Sequence, residues 1–397
     1  MGTRRARSLV MAAAVLGALV LATPWVAGEK ERSGGDRVEV GQPGDAKLAG
    51  AVLQRRPSRR SVARPFRRST PAAENIDTEW LELAYQRAAA IPHIYSMLVV
   101  RNRRLVAEEY FDYPTRSTPR PVASVGKSIL GALVGIALEE GFLADFDQPM
   151  IDFFPEYDRP SLDPRKRDIT IRQLVQMRAG YPFDSTTEFF DGLTRSYDWM
   201  RFIIVDWDLE RAPGTGWDYS NASAHLLSGI LTRATGMSLL DFANIYLFGP
   251  MGQPIAYWPR DPQGYCVGPG DVHLTPTQLA TFGQMILDGG YWRERQILDS
   301  TWIEDSFVDY STTWYGDDIW PYRNIRYGYL WWHAEVGGRD VYFAWGHGGQ
   351  FISIAPELDL VVVTTAYNFV GDFTNNSWNT EGAIIRMIAR DVIPAAN

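Results

Sequence analysis

The residues of this chain best suited to covalent chemistry are a serine and a lysine three positions apart, Ser124 and Lys127. Large apolar residues recur every three or four positions from Val125 to Leu138, which predicts a helix that begins at Ser124 and ends near Gly141. Both side chains would share one helix face, where a desolvated lysine can take the serine proton and the positive helix end can stabilise an oxyanion. A second interpretation stays open, in which Ser124 caps the helix and Lys127 is solvated.

Two other motifs do not fit the same stretch. Residues 126–128 read Gly-Lys-Ser, the end of a nucleotide-binding P-loop, but that motif needs a glycine where Pro121 stands. A Gly-x-Ser-x-Gly nucleophile turn needs a glycine where Val122 stands. The sequence therefore excludes both motifs around Ser124.

Two later stretches combine turn-forming and polar residues. Residues 213–221 form a glycine-rich loop that ends in Tyr219-Ser220-Asn221, and residues 345–350 place Gly-His-Gly-Gly between two predicted strands. The glycines would let the backbone approach a ligand closely. Taken singly, each stretch also fits an ordinary turn, with Ser220 or Asn221 as a helix cap.

The elements around these stretches predict an α+β fold. Short apolar runs predict strands at 96–100, 105–111, 340–345, 351–355 and 358–366. Residues 145–271 have mostly helical patterns, and a C-terminal helix is predicted at 381–393. Strands at both ends with helices between them predict an antiparallel sheet closed by the two termini, flanked by terminal helices and carrying an inserted helical subdomain.

The chain divides into three predicted parts. Arg4 and Arg5 precede an apolar run and small residues, which is typical of an export signal, cleaved or kept as a membrane anchor. We expect the protein to be periplasmic or extracellular. The predicted parts are a signal peptide or anchor at 1–28, a flexible Arg/Gly/Pro-rich linker at 29–75, and a globular domain at 76–397, with its sheet at about 76–120 and 325–397 and its helical subdomain at about 121–270.

The globular domain is acidic. Residues 76–397 carry 25 basic and 41 acidic residues, a net charge of −16, which argues against a nucleic-acid partner. Seven arginines between 55 and 68 either belong to a solvated linker or contact an anionic membrane surface. Cys266 is the single cysteine, so no intramolecular disulfide forms. The histidines outside the glycine motif show no ligand spacing, and we predict neither metal nor cofactor.

Together and in this order, the three motifs resemble the serine β-lactamase and penicillin-binding-protein superfamily, in particular its class C-like branch. That branch includes D-Ala-D-Ala carboxypeptidases, esterases and 6-aminohexanoate-dimer-type amidases. The resemblance covers about residues 80–390 and is supported by the stretches at 169–174, 268–276 and 327–332. It implies the β-lactamase/transpeptidase-like fold, with the active site between the sheet and the helical subdomain.

The resemblance also implies roles for the residues on the helical side of the site. Ser124 would be the nucleophile that accepts the acyl group, and Lys127 would assist its deprotonation. Tyr219 would act as a base in acylation and return the proton to the leaving group; its phenolate would need a nearby cation, which Lys127 could provide. Asn221 would orient Lys127 or the substrate carbonyl.

On the strand side, the resemblance implies that His347, Gly348 and Gly349 contact the substrate, while the backbone N–H groups of Ser124 and Gln350 form the oxyanion hole. His347 takes the position where β-lactamases carry lysine, and Gly348 stands where they carry threonine or serine. A mostly neutral imidazole beside glycine suits a substrate carboxylate less well than that pair does.

These departures favour esters or amides over penicillins and peptidoglycan. The leading hypothesis is an exported serine hydrolase that forms an acyl-enzyme at Ser124 and cleaves esters or amides, with a small-molecule ester, amide or peptide as substrate and no nucleic-acid partner. One alternative is a D-amino-acid-specific carboxypeptidase or β-lactamase. The other is a non-catalytic binding or sensor module on the same scaffold. The sequence leaves the oligomeric state open.

Overall fold

The computed structural model describes residues 65–111, 116–316, 319–368 and 376–397. Short apolar runs with β-branched and aromatic residues supply its strands. In chain order they are β1 (Arg67–Arg68), β2 (Ile94–Arg101), β3 (Arg104–Tyr110), β4 (Arg120–Pro121), β5 (His273–Leu274), β6 (Tyr291–Trp292), β7 (Arg295–Gln296), β8 (Ser311–Gly316), β9 (Arg323–Tyr327), β10 (Trp332–Val336), β11 (Arg339–Gly346), β12 (Gln350–Ala355) and β13 (Leu360–Ala366).

Within the described residues, nine strands form one sheet in the order β1-β3-β2-β13-β12-β11-β10-β9-β8. All neighbours pair antiparallel except β1 and β3, which pair parallel. Strands β12 and β13 are buried along their whole lengths, as expected where helices cover both faces of a sheet. The N-terminal strand β2 and the last strand of the chain, β13, thus lie side by side inside the sheet.

Helices cover the sheet and fill the sequence between its two halves. In chain order they are α1 (Thr78–Ala89), α2 (Val125–Glu139), α3 (Ile171–Val175), α4 (Thr187–Arg195), α5 (Trp199–Arg201), α6 (Asn221–Thr235), α7 (Leu239–Ala243), α8 (Pro276–Leu287), α9 (Ser300–Ser306), α10 (Asn376–Met387) and α11 (Ile393–Ala395). Helix α8 packs on β13 and β2, and α2 packs on β11 and on α6. Helix α1 packs on β2 and on the C-terminal helices, where the Asp77 amide donates to the Ala395 carbonyl.

This architecture confirms the predicted α+β fold of an antiparallel sheet, terminal helices and an inserted helical subdomain. Two boundaries differ from the prediction. The second half of the sheet begins at β8, earlier than residue 325. The residues from 65 to 75, predicted as the end of a flexible linker, instead belong to the folded domain, because β1 joins the sheet and the buried Phe66 ring packs edge-on against Trp292.

The predicted signal segment and most of the predicted linker lie outside the described residues. Among the residues that the structure describes, no helix combines the length and the apolar character needed to cross a membrane.

Candidate active site

Ser124 sits on the tight turn that leads into α2. The preceding residue, Ala123, has φ 47°, a left-handed conformation that costs a non-glycine residue energy and is typical of functional turns. The Ser124 side chain makes no capping hydrogen bond to the helix, and Lys127 is 1% exposed. The interpretation of these residues as a helix cap and a solvated lysine is therefore wrong.

The loop before α8 holds this turn in place. The Asp271 amide donates to the Ala123 carbonyl over 3.3 Å, and the Val122 amide donates to the Val272 carbonyl over 3.1 Å. A Cβ atom at Gly270 would lie 2.2 Å from the Ala123 carbonyl oxygen, so only glycine fits there. The two loops clamp the backbone on which Ser124 is carried.

Lys127 places its amine beside the Ser124 hydroxyl. Its Nζ lies 2.9 Å from Ser124 Oγ, and it donates to Asn221 Oδ1 over 2.9 Å and to the Pro269 carbonyl over 2.7 Å. Burial lowers the pKa of Lys127 to about 7, although the negative charge of nearby carboxylates acts in the opposite direction. A substantial fraction of this amine is thus neutral near pH 7 and able to accept a proton.

Tyr219 completes the polar group around the nucleophile. Its side chain hydrogen-bonds Ser124. The Tyr219 ring stacks on Trp332 with the ring centroids 5.4 Å apart, and Lys127 Nζ lies 4.7 Å from the centroid of the Tyr219 ring. Burial raises the pKa of Tyr219 well above its usual range. Tyr219 therefore keeps its proton near neutral pH, unlike the accessible phenolate that its expected role as a base would need.

A buried carboxylate that the sequence analysis missed, Asp184, fixes the Tyr-x-Asn motif. It accepts from the Asn221 amide over 2.7 Å, from the Ala222 amide over 2.8 Å and from Ser220 Oγ over 3.0 Å. Ser220 caps α6 by accepting from the Ser223 amide, so the cap interpretation holds for Ser220, while the role of Tyr219 and Asn221 in the site stays a prediction. Burial raises the pKa of Asp184 to about 6, against the hydrogen bonds that lower it.

The strand side of the site is the turn between β11 and β12. The turn touches the nucleophile loop, because a Cβ atom at Gly346 would lie 2.4 Å from the Val122 carbonyl oxygen and 3.2 Å from the Val125 amide nitrogen. Gln350, fully buried, pins the turn by donating to the Ala366 carbonyl over 2.6 Å. The structure thus brings the predicted strand-side and helical-side residues together at one site.

A second unpredicted carboxylate, Glu381 of α10, lies behind this turn. It accepts from the Gly348 amide over 2.6 Å, and its Oε1 lies 3.3 Å from His347 Nδ1. Gly348 and Gly349 have φ values of 85° and 110°, which favour glycine. The amide of Gly348 is therefore held by the protein itself, while His347, 23% exposed, is the side chain of the turn that reaches toward solvent.

Aromatic side chains surround the site. Trp332 and Trp345 have ring centroids 5.5 Å apart, and Tyr315 packs against both. Trp217 contacts Trp332, and Trp314, 40% exposed, contacts Trp217. An apolar wall of this kind suits uncharged substrate groups.

The histidines outside the glycine motif make local contacts. His225 Nδ1 accepts from the Gly268 amide, which leaves Nε2 to donate to Asp261 over 3.0 Å. His333 lies between Asp309 and Asp340, with 2.8 Å to each. In the described parts of the chain, no group of three or more histidine, cysteine, aspartate or glutamate side chains could hold a metal ion.

Comparison with known proteins agrees with this geometry. The model of the family described as Beta-lactamase matches residues 85–383, most of the chain. The chain belongs to the beta-lactamase family. The resemblance predicted from the three motifs is thereby confirmed.

Relatives within this family have several activities in their names. The chain is 25% identical over 299 residues to 6-aminohexanoate-dimer hydrolase of Paenarthrobacter ureafaciens, covering 68% of this chain and 71% of that protein. The fold is similar to that of a D-stereospecific amidohydrolase from Streptomyces sp. (TM-score 0.57, 17% identity, 77% of this chain and 97% of the other). It is also similar to EstCE1, a hydrolase with promiscuous acyltransferase activity (TM-score 0.61, 16% identity, 79% and 100%). The chain thus belongs to the beta-lactamase family, is similar in sequence to a hydrolase, and shares its fold with an amidohydrolase and a further hydrolase.

Three acidic residues near the site escaped the sequence analysis: Asp184, Asp271 and Glu381. Asp271 has φ 60°, an unusual conformation for a non-glycine residue. Burial raises its pKa to about 6, with Lys127 and His347 close enough to lower it in part. Asp271 lies inside the stretch at 268–276, which the sequence analysis used as support for the resemblance. That location was the only sequence feature that pointed to Asp271 as a site residue.

Proposed function

We propose that this protein is an exported serine hydrolase that cleaves esters or amides through a covalent acyl-enzyme at Ser124. The observation that carries the proposal is the 2.9 Å approach of the buried Lys127 Nζ to Ser124 Oγ. An amine with a pKa of about 7 is matched to proton transfer at neutral pH.

In the proposed first step, Ser124 Oγ attacks the substrate carbonyl while Lys127 Nζ accepts the hydroxyl proton. The backbone N–H groups of Ser124 and Gln350 stabilise the resulting oxyanion. Tyr219, which keeps its proton, donates it to the leaving oxygen or nitrogen, and the Lys127 ammonium restores the tyrosine proton. Attack by water then releases the acid and regenerates Ser124.

The strand side of the site supports neutral esters or amides as the substrate class. The position that would carry a charged lysine in β-lactamases holds His347, and its neighbour Gly348 offers no hydroxyl group. A charge-assisted hydrogen bond contributes roughly 1.5–3 kcal/mol, so its loss weakens binding of a carboxylate substrate about tenfold or more.

The test is a kinetic panel of p-nitrophenyl esters, linear amides, nitrocefin and a D-Ala-D-Ala peptide. We expect kcat/KM to be highest for uncharged short-chain esters and turnover to be lost in Ser124→Ala. A preference for nitrocefin would favour a β-lactamase, and a preference for the D-Ala peptide would favour a carboxypeptidase. Absence of turnover and of labelling by a fluorophosphonate would favour a binding module.

Export is proposed from the sequence of residues 1–28, with the basic segment that follows as a candidate for contact with an anionic membrane surface. Fractionation of cells that express the full chain separates soluble from membrane-associated protein, which tests the membrane contact. N-terminal sequencing of each fraction then shows whether residues 1–28 have been removed, which tests export. We expect the protein outside the cytoplasm, and cytoplasmic protein with an intact N-terminus would contradict the proposal.

A further inference from the structure

Glu381 is a buried carboxylate whose hydrogen bonds to the described residues lead to the strand side of the site. It is 4% exposed and lies on α10, far along the chain from the nucleophile. Its Oε1 accepts from the Gly348 amide over 2.6 Å, and its Oε2 accepts from Trp345 Nε1 over 2.8 Å. His347 Nδ1 lies 3.3 Å from Oε1. One side chain thus contacts three residues of the β11–β12 turn.

A carboxylate is specifically suited to these neighbours. The Gly348 amide and the Trp345 indole are both donors, and a carboxylate accepts from each of them without presenting a donor of its own. A glutamine of the same shape has one carbonyl oxygen and would turn its amino group toward one of the donors. A buried carboxylate is stable only where hydrogen bonds offset the loss of its hydration. For Glu381, the bonds from the Gly348 amide and the Trp345 indole provide that compensation.

Glu381 also interacts electrostatically with Tyr315, one of the aromatic residues around the site. Burial raises the pKa of the Tyr315 hydroxyl, and the negative charge of Glu381 raises it further. Tyr315 packs on Trp345, the residue that Glu381 holds. Glu381 is therefore close to two aromatic side chains near the site, Trp345 and Tyr315, in addition to holding the turn.

Two further carboxyl groups near the site, those of Asp184 and Asp271, also contribute negative charge. Asp184 and Asp271 lie near Lys127, and Asp271 also interacts with His347. Three carboxyl groups thus accompany one amine with a pKa of about 7 and one imidazole. A substrate carboxylate entering this cleft would meet an excess of negative charge.

Building on the proposed serine hydrolase, we propose that Glu381 is a positioning residue that sets substrate specificity. It holds the His347 turn from behind and places a carboxylate oxygen 3.3 Å from that imidazole, so that the site accepts acyl groups without a carboxylate and discriminates against those that carry one.

The experiment compares two esters of equal chain length, p-nitrophenyl butyrate and p-nitrophenyl hemisuccinate, whose acyl chains differ by a terminal carboxylate. In Glu381→Gln, we expect kcat/KM for the hemisuccinate relative to the butyrate to rise at least about fivefold, because a negative charge behind the turn has been removed. A purely structural role would lower both values together and leave the ratio unchanged.

Asp391→Asn is the matched control. Asp391 is also buried on the C-terminal helical segment, where it forms an ion pair with Arg87 at 2.6 Å, away from the turn. We expect it to lower the melting temperature without changing the ratio of the two kcat/KM values. If Glu381→Gln does not fold, Glu381→Asp serves the same comparison: it draws the carboxylate away from the turn by one methylene, and we expect a smaller rise in the same ratio.

The outcomes separate this inference from the proposed function. All rates are corrected for the activity left in Ser124→Ala. Ser124-dependent hydrolysis with an unchanged ratio in folded Glu381 variants would overturn the role of Glu381 alone. Hydrolysis that does not depend on Ser124 would overturn the proposed function instead.

Discussion

The two sides of the candidate active site are built differently. On the helical side, Ser124, Lys127 and Asn221 are joined by side-chain hydrogen bonds of 2.9 Å around a buried amine. On the strand side, the β11–β12 turn presents backbone and one partly exposed imidazole, and it is held by a carboxylate from α10. On the proposed function, the helical side would supply the groups for proton transfer, whereas the strand side would control which substrates enter.

If this division holds, variants on the helical side should lower turnover of every substrate. Variants on the strand side should instead change the ratio between substrates. The predictions below follow that difference from the largest expected effect to the smallest.

Lys127→Met should cause the largest loss. Methionine fills a similar volume but cannot accept the Ser124 proton, so we expect kcat to fall by about 10²–10⁴-fold for all esters. Steady-state kinetics measure the effect. Lys166→Met is the matched control, because Lys166 is equally buried and donates to the Trp207 carbonyl without contacting Ser124. Equal losses of kcat in both variants would contradict the role of Lys127.

Asp184→Asn should weaken the Tyr-x-Asn motif. An asparagine cannot accept all three hydrogen bonds that Asp184 accepts, and each unsatisfied buried donor costs about 1–3 kcal/mol. We expect a lower free energy of unfolding together with a lower kcat. Asp261→Asn also removes one acceptor oxygen of a buried carboxylate, the one that faces His225 Nε2 at 3.0 Å, so it should lower stability while kcat is retained. A stable, fully active Asp184→Asn protein would refute this prediction.

The pH profile should report Lys127 for every substrate. Its pKa is lowered to about 7, so the amine is protonated below that pH and cannot act as a base. We expect kcat/KM for a neutral ester to fall about tenfold per pH unit below about 7 and to level off above it. Circular dichroism over the same range checks that the fold persists. A flat profile across neutral pH would assign the base to another group.

His347→Lys should change the ratio between substrates and leave the helical side intact. A lysine ammonium can donate to a substrate carboxylate, so we expect kcat/KM for nitrocefin relative to a neutral ester to rise about tenfold. Adding Glu381→Gln should raise the ratio further, since the new ammonium would no longer be paired with that carboxylate. An unchanged ratio in both variants would place carboxylate recognition elsewhere.

The features that were predictable from the sequence depend on local spacing. Ser124 and Lys127 are one helical turn apart, and Tyr219 and Asn221 flank a helix cap, so short patterns contain their geometry. Five of the nine strands of the sheet (β2, β3, β11, β12 and β13) were predictable for the same reason, because they are short apolar runs separated by turns. Strands β1, β8, β9 and β10 were not predicted.

The missed features depend on contacts between distant parts of the chain. Asp184 meets Asn221 across 37 positions, and Glu381 meets Gly348 across 33 positions. Neither carboxylate lies in a motif, and only packing shows that each is buried. The end of the linker was misplaced likewise, since the order of residues 65–75 depends on the distant partners of Phe66 and β1.

The central claim is that the acyl group is carried on Ser124, and trapping it is the most direct test. The protein is mixed with a short-chain p-nitrophenyl ester, quenched in acid during turnover, and measured by intact mass and peptide mapping. We predict one added acyl group on the peptide that contains Ser124, and none in Ser124→Ala. An acyl group on another residue, or undiminished ester turnover by Ser124→Ala, would contradict the account.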